Sequence, residues 1–216
     1  MENKNILWGI IGTVVIFGFL TIVYMATNST GPAKVFEHTK TLDKTDHITW
    51  SPAKKHILTE YGDYQCPACG TFHQFIKGTI EKDTKITNNI TFVYRNYPLT
   101  NIHNHALEAA YAAEAAGIQG KYFEMGDKLY DTQAIWEKQK NVTSLFEGYA
   151  KDLKLDLEKF KADMKSSTVK NKVEKDSESG NKAQVNSTPS FYLDGAKVDV
   201  ISLDQFKTLL DKTAQQ

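Results

Sequence analysis

The two cysteines of this chain sit two residues apart, in Tyr64-Gln65-Cys66-Pro67-Ala68-Cys69-Gly70. No other feature restricts the fold as much. A strand-like run, His56-Ile57-Leu58-Thr59-Glu60-Tyr61, precedes the pair, and Gly62-Asp63 breaks it. Pro67 suits the first turn of a helix, where its missing N–H is not needed. Phe72, Phe75, Ile76 and Ile80 follow at helical spacing. A Cys-x-x-Cys pair between a strand and a helix is a redox signature. A thiolate, not a thiol, attacks disulfides, and a helix N-terminus favours negative charge through its unpaired N–H groups. This placement makes Cys66 the expected nucleophile and Cys69, one turn further in, the expected resolving thiol. A disulfide across two residues closes too small a loop to serve mainly as a staple. The competing reading is half of a metal site, with His73 as a third ligand and His103 or His105 as further donors. A structural zinc site usually wants four ligands, and there is no second cysteine pair. The expectation is therefore a redox pair without metal.

Around this motif the chain alternates. Ile48-Thr49-Trp50 reads as a short edge strand. Ile90-Thr91-Phe92-Val93-Tyr94 reads as a second clear strand, after Asn88 and Asn89 close the helical stretch. Strand, helix and strand with a short loop form a βαβ unit, which predicts parallel pairing of its two strands. From about 101 to 182 there is no strand signal. An alanine-rich stretch at 103–116, ended by Gly117, is followed by helical patterns at 121–130, 143–153, 157–164 and 167–180. Ser190-Phe191-Tyr192-Leu193 restarts the sheet, Asp194-Gly195 turns it, and Lys197-Val198-Asp199-Val200 returns antiparallel. Ser202 caps a final helix at 203–213, with Leu203, Phe206, Leu209 and Leu210 as its buried face. The expected fold class is α/β, a mixed sheet interrupted by an α-helical insertion at about 101–182.

Charge excludes one class of partner. With 26 basic and 26 acidic residues the net charge is zero, so there is no overall electrostatic case for nucleic acid. Residues 6–26 carry no charge at all. As a helix they would reach roughly 31 Å, enough to cross a hydrocarbon core. A cleaved signal has a shorter apolar region, and Tyr24 and Met25 crowd a cleavage site. The expected organisation is a short cytoplasmic tail at 1–5, a transmembrane signal-anchor at 6–26, a polar linker at 27–46 and a folded domain at 47–216. Lys4 favours a cytoplasmic N-terminus slightly, which puts the dithiol on the extracytoplasmic side, where disulfides persist.

Ser187-Thr188-Pro189-Ser190 is the second notable element. A proline directly before an apolar strand cannot donate to the ladder, and a cis Thr188–Pro189 bond would account for its position. The motifs that combine are Glu60-Tyr61-x-Asp63-Tyr64-Gln65-Cys66-Pro67-x-Cys69, Tyr94-Arg95-x-Tyr97-Pro98-Leu99, the alanine-rich helix from His105, and Thr188-Pro189-Ser190-Phe191 with Asp194-Gly195. Over about 48–210 this pattern resembles the DsbA-like thiol:disulfide oxidoreductases. The resemblance implies a thioredoxin-like mixed sheet with an inserted helical subdomain, and a redox-active Cys66–Cys69 disulfide with no other cofactor. It also implies that Pro189 is a cis-proline facing the cysteines and that Thr188 offers its backbone to an extended substrate strand. Glu60 matches the family's buried acid, which would carry protons to or from Cys69. Pro67, Ala68 and Tyr64 would line the site.

Two positions depart from the best-known members. Ala68 stands where they have histidine, which implies a less acidic Cys66 and a less oxidising disulfide. The basic partner of the buried acid is also not evident: Val93 falls near it, and Arg95 is the candidate. The implied function is a monomeric, single-pass, extracytoplasmic enzyme that oxidises unfolded exported proteins. A membrane quinone-linked partner, DsbB-like or VKOR-like, would recycle it. The alternative is a reductase or isomerase of the same fold, and further off a copper or zinc chaperone using Cys66, Cys69 and His73.

Overall fold

The two clearest strands of the sequence form the centre of a five-stranded mixed sheet in this computed structural model. It describes residues 34–53, 55–200 and 202–216, so the expected membrane span at 6–26 lies outside the described residues. Among the described residues no helix is long and apolar enough to cross a membrane. The strands are β1 (His47–Trp50), β2 (His56–Gly62), β3 (Ile90–Asn96), β4 (Ser190–Leu193) and β5 (Ala196–Val198), in the order β1-β3-β2-β4-β5. β2 and β3 pair in parallel, with Glu60 opposite Tyr94 and Tyr61 opposite Arg95. β3 is buried along its whole length, as expected for a parallel strand covered on both faces. β1 closes one edge antiparallel to β3, and β4 adds antiparallel to β2 on the other side. The β4–β5 turn places Asp194 at φ 49° and Gly195 at φ 87°. Both central residues of a two-residue type I′ turn need positive φ, which is why Asp-Gly works there.

Helices cover the sheet. α1 (Glu37–Lys40) precedes β1, and α2 (Pro67–Phe75) carries the cysteine motif and continues as a π-helical turn, Ile76–Ile80. α3 (Thr84–Asn89) leads into β3. The insertion comprises α4 (Ala106–Ile118), α5 (Tyr122–Asp131), α6 (Gln133–Trp136), α7 (Thr143–Asp152), α8 (Leu157–Asp163) and α9 (Ser167–Lys182). α10 (Leu203–Thr213) closes the chain, and the Ser202 hydroxyl accepts the Gln205 N–H at its start. Tyr94, Phe191 and Phe206 share one core cluster with Met125, Trp136 and Phe146, so the insertion is packed onto the redox half rather than hung beside it.

The alanine helix does not stop at Gly117. It runs to Ile118, and Gly120, at φ +74°, takes the left-handed position that ends it. Gly117 serves packing instead, since a Cβ there would lie 2.8 Å from the His47 ring.

The polar stretch before β1 is also more than a tether. The folded unit begins at Val35, so the linker expected at 27–46 is packed from that residue onward. Phe36 and Thr39 are buried, and the Thr39 carbonyl accepts the Thr59 hydroxyl at 2.6 Å. Arg95 clamps this strap. Its guanidinium donates to both carboxylate oxygens of Asp46, at 3.1 and 2.8 Å, and to the carbonyls of His38 and Thr41. Consecutive strand residues point to opposite faces, so Arg95 lies across the sheet from Glu60 and Tyr94. Arg95 is therefore not the basic partner of Glu60. Replacing it (Arg95→Leu) would strand the Asp46 carboxylate, whose side chain is 2% exposed. The expected loss is about 3–5 kcal/mol, read by urea unfolding together with faster amide exchange at 35–46. An unchanged unfolding midpoint would refute the clamp.

Candidate active site

Cys66 is the N-cap of α2, with extended backbone (φ −74°, ψ 122°), and Pro67 takes the first helical position. The loop leading into it is tied down from several sides. The Cys66 N–H donates to the Asp63 carbonyl at 3.0 Å, and the Gly70 N–H donates to the Cys66 carbonyl at 3.1 Å. The Asp63 carboxylate accepts the N–H groups of Gln65 and Leu99, each at 2.8 Å, and meets His103 Nδ1 at 2.7 Å. Gln65 accepts the His105 N–H at 2.7 Å. From the insertion, Gln133 donates to the carbonyls of Tyr64 (2.7 Å) and Cys66 (3.1 Å). Sequence reading did not single out Asp63 or Gln133 as supports, since most of their partners, Leu99 and His103 for Asp63 and Tyr64 and Cys66 for Gln133, lie far away in the chain. His103 and His105, weighed as metal donors, bind this scaffold instead.

Both cysteines are free thiols. Cys66 is 7% exposed, between the exposed Pro67 and Ala68 on one side and Thr188 on the other, whereas Cys69 is completely buried. The Thr188–Pro189 bond is cis, and the Cys66 thiol donates to the Thr188 carbonyl at 3.2 Å. Among the described residues the buried Thr188 hydroxyl has no hydrogen-bond partner. The Cys66 pKa is lowered from 9.0 to about 5. The hydrogen bond from Cys69 contributes most, and Thr188 and the N–H groups of Ala68 and Cys69 add to it against the opposing effect of burial. Burial and the neighbouring Cys66 push Cys69 the other way, well above the ordinary thiol value. The two sulfurs are thus an acidic, reachable thiol and a shielded one.

Glu60 lies beneath them, 4% exposed. Burial first, then the Cys66 charge, raises its carboxyl from 4.5 to about 8. Among the described residues it has no hydrogen-bond or ion-pair partner. It lines a cavity of about 450 Å³ with Trp50, Tyr64, His73, Tyr94 and Tyr130. Tyr64 accordingly faces inward, stacked 5.2 Å from Tyr94, and not outward along the substrate face. His73 stacks on Tyr130 at 4.8 Å, with Nε2 3.7 Å from Asp127 and 3.8 Å from Asp131. Among the described residues no group of three or more His, Cys, Asp or Glu could hold a metal ion.

A family model described as Thioredoxin matches residues 42–212. The chain belongs to the thioredoxin family. Over 218 residues it is 26% identical to the "Probable disulfide bond formation protein D" of Bacillus anthracis, covering 98% of this chain and 97% of that one. Over 155 residues, 70% of this chain, it is 36% identical to the Na(+)/H(+) antiporter NhaA 1 of Mycobacterium sp. (strain KMS), and it spans 24% of that protein's length. Among solved structures, oxidised BdbD from Bacillus subtilis matches with a TM-score of 0.72 at 23% identity, covering 86% of this chain and all of that one. Alpha-DsbA1 of Wolbachia pipientis matches with a TM-score of 0.71 at 19% identity, covering 83% and 96%. These likenesses concern the fold.

Proposed function

We propose that this chain is an extracytoplasmic thiol:disulfide oxidoreductase that introduces disulfides into exported proteins through Cys66 and Cys69. A substrate thiolate attacks Cys66 Sγ of the oxidised pair, the Cys66–Cys69 bond breaks, and Cys69 leaves and takes up a proton. A second substrate thiolate then attacks the substrate sulfur of the mixed disulfide, and Cys66 departs as a thiolate. The substrate is oxidised by two electrons and the enzyme is left as a dithiol. The observation that carries this direction is the acidic Cys66 beside the shielded Cys69. A low-pKa thiol is the better leaving group, and a stabilised reduced form makes its disulfide a stronger oxidant. Glu60, whose carboxyl burial raises above the ordinary range, would exchange the proton of Cys69. The Thr188 carbonyl beside Cys66 offers an extended substrate a backbone contact. A quinone-linked membrane protein, DsbB-like or VKOR-like, would remove the two electrons and restore the disulfide. The uncharged run at 6–26 supports membrane anchoring of a monomeric enzyme with its catalytic domain outside.

Ala68 favours the reductase alternative, because no histidine charge assists Cys66. A glutathione titration of the purified protein, with an assay for oxidation of a reduced substrate, separates the two. The expected potential lies between those of DsbA (about −120 mV) and thioredoxin (about −270 mV), with net oxidation of substrate. A potential at or below the thioredoxin value, with a mainly reduced dithiol in cells, would favour the reductase.

A further inference from the structure

One side chain of the insertion reaches the backbone of the cysteine motif from outside. Gln133 opens the one-turn helix α6, and Trp136 anchors that turn. Trp136 is fully buried, its Nε1 donates to the Leu129 carbonyl at 2.7 Å, and its ring meets Phe146 edge-on at 5.5 Å. So held, the Gln133 amide faces two carbonyl oxygens, those of Tyr64 and Cys66. Two acceptors demand the NH₂ end of the amide there, which fixes its orientation. The amide oxygen packs over Gly70, where a Cβ would come within 3.1 Å.

The Cys66–Pro67 peptide is unusual in one respect. Pro67 has no N–H, so its own carbonyl is the only hydrogen-bonding group by which this peptide can be fixed. The first helical bond, from Gly70, uses one lone pair of that oxygen, and Gln133 supplies a second donor. The rotation of this peptide sets the direction of the N–H groups that follow it.

We propose that Gln133 is a positioning residue for Cys66: its amide fixes the Cys66–Pro67 peptide so that the N–H groups of Ala68 and Cys69 face the sulfur. This rests on Cys66 being the nucleophilic thiolate. The titratable groups interacting with Cys66 are Cys69 on the same helix and Glu60 on β2, and neither is altered by changing Gln133.

The test uses Gln133→Leu, which removes both donors, and Gln133→Glu, which keeps the shape but sets a carboxylate against two carbonyls. Thiolate formation is followed by ultraviolet absorbance against pH, with alkylation identifying Cys66, and urea unfolding is measured in parallel. In Gln133→Leu the Cys66 midpoint should rise by about one pH unit, roughly a ten-fold loss of thiolate at acidic pH, and further in Gln133→Glu. Midpoints equal to wild type in both variants overturn the proposal, whether or not stability falls, because a merely structural glutamine would leave the midpoint in place. A wild-type Cys66 titrating in the ordinary thiol range would overturn the proposed function and this inference together, which distinguishes that failure from the first.

Discussion

Cys69→Ala should leave substrates covalently attached to Cys66, and Cys66→Ser should attach none. Burial and acidity decide both outcomes. A macromolecular substrate meets Cys66 beside Pro67, Ala68 and the Thr188 carbonyl, but it meets no part of Cys69. Attack therefore falls on Cys66, and only Cys69 is close enough to reverse it intramolecularly. Without Cys69 the mixed disulfide loses that route and accumulates, whereas a serine at position 66 gives no sulfur to join. Turnover should fall to background in both variants. The check is non-reducing electrophoresis of cells expressing each variant, with mass spectrometry of the adducts. Adducts on Cys66→Ser, or none on Cys69→Ala, would reverse or refute the assignment of roles.

Glu60→Gln should weaken the decline of stability with rising pH in the oxidised protein. Burial, joined in the dithiol state by the Cys66 charge, raises the native carboxyl from 4.5 to about 8, and in the oxidised state burial alone holds it above 4.5. Between 4.5 and that raised value the folded state holds a proton that the unfolded chain has lost, so stability is full below 4.5 and declines as pH rises through the raised value. The slope is about 1.4 kcal/mol per pH unit in that window. The oxidised state is the right one to test, because in the reduced protein Cys66 acts in the opposite sense. Folded Cys66 ionises at about 5 and unfolded Cys66 near 9, so reduced-state stability gains with rising pH across that range. Urea unfolding of wild type and Glu60→Gln at several pH values reads the difference, and equal slopes would contradict a protonated Glu60. In the catalytic cycle the same variant should slow steps that protonate or deprotonate Cys69 by on the order of 10²-fold at neutral pH.

Much of this architecture was legible because its signals are local. The βαβ unit follows from two apolar runs and a helix between them, the β4–β5 turn from Asp194-Gly195, and α10 from Ser202 and its apolar face. Cys66, Cys69, Thr188 and Pro189 could be named because motif residues carry their chemistry with them, and the structure brings them together. The strap was read as a linker because its reasons to fold lie elsewhere. Asp46 is polar in sequence and needs Arg95, 49 residues away, to be held down. Arg95 stood as a candidate partner of Glu60 for a related reason: proximity in sequence to the sheet centre does not say which face a residue takes until the register is known. Gln133 left no signal at all, since it recognises carbonyl groups that every residue possesses.

The strap also sets where this domain can be cut. A graft of the enzyme onto another protein, begun at residue 47 as the sequence pattern invites, would omit Asp46 and the carbonyls of His38 and Thr41. It would leave the Arg95 guanidinium without most of its acceptors beside Tyr61. Begun at residue 35, the same graft keeps its own clamp. The portable catalytic unit is thus some dozen residues longer than its recognisable motif, and those residues act as its fastening.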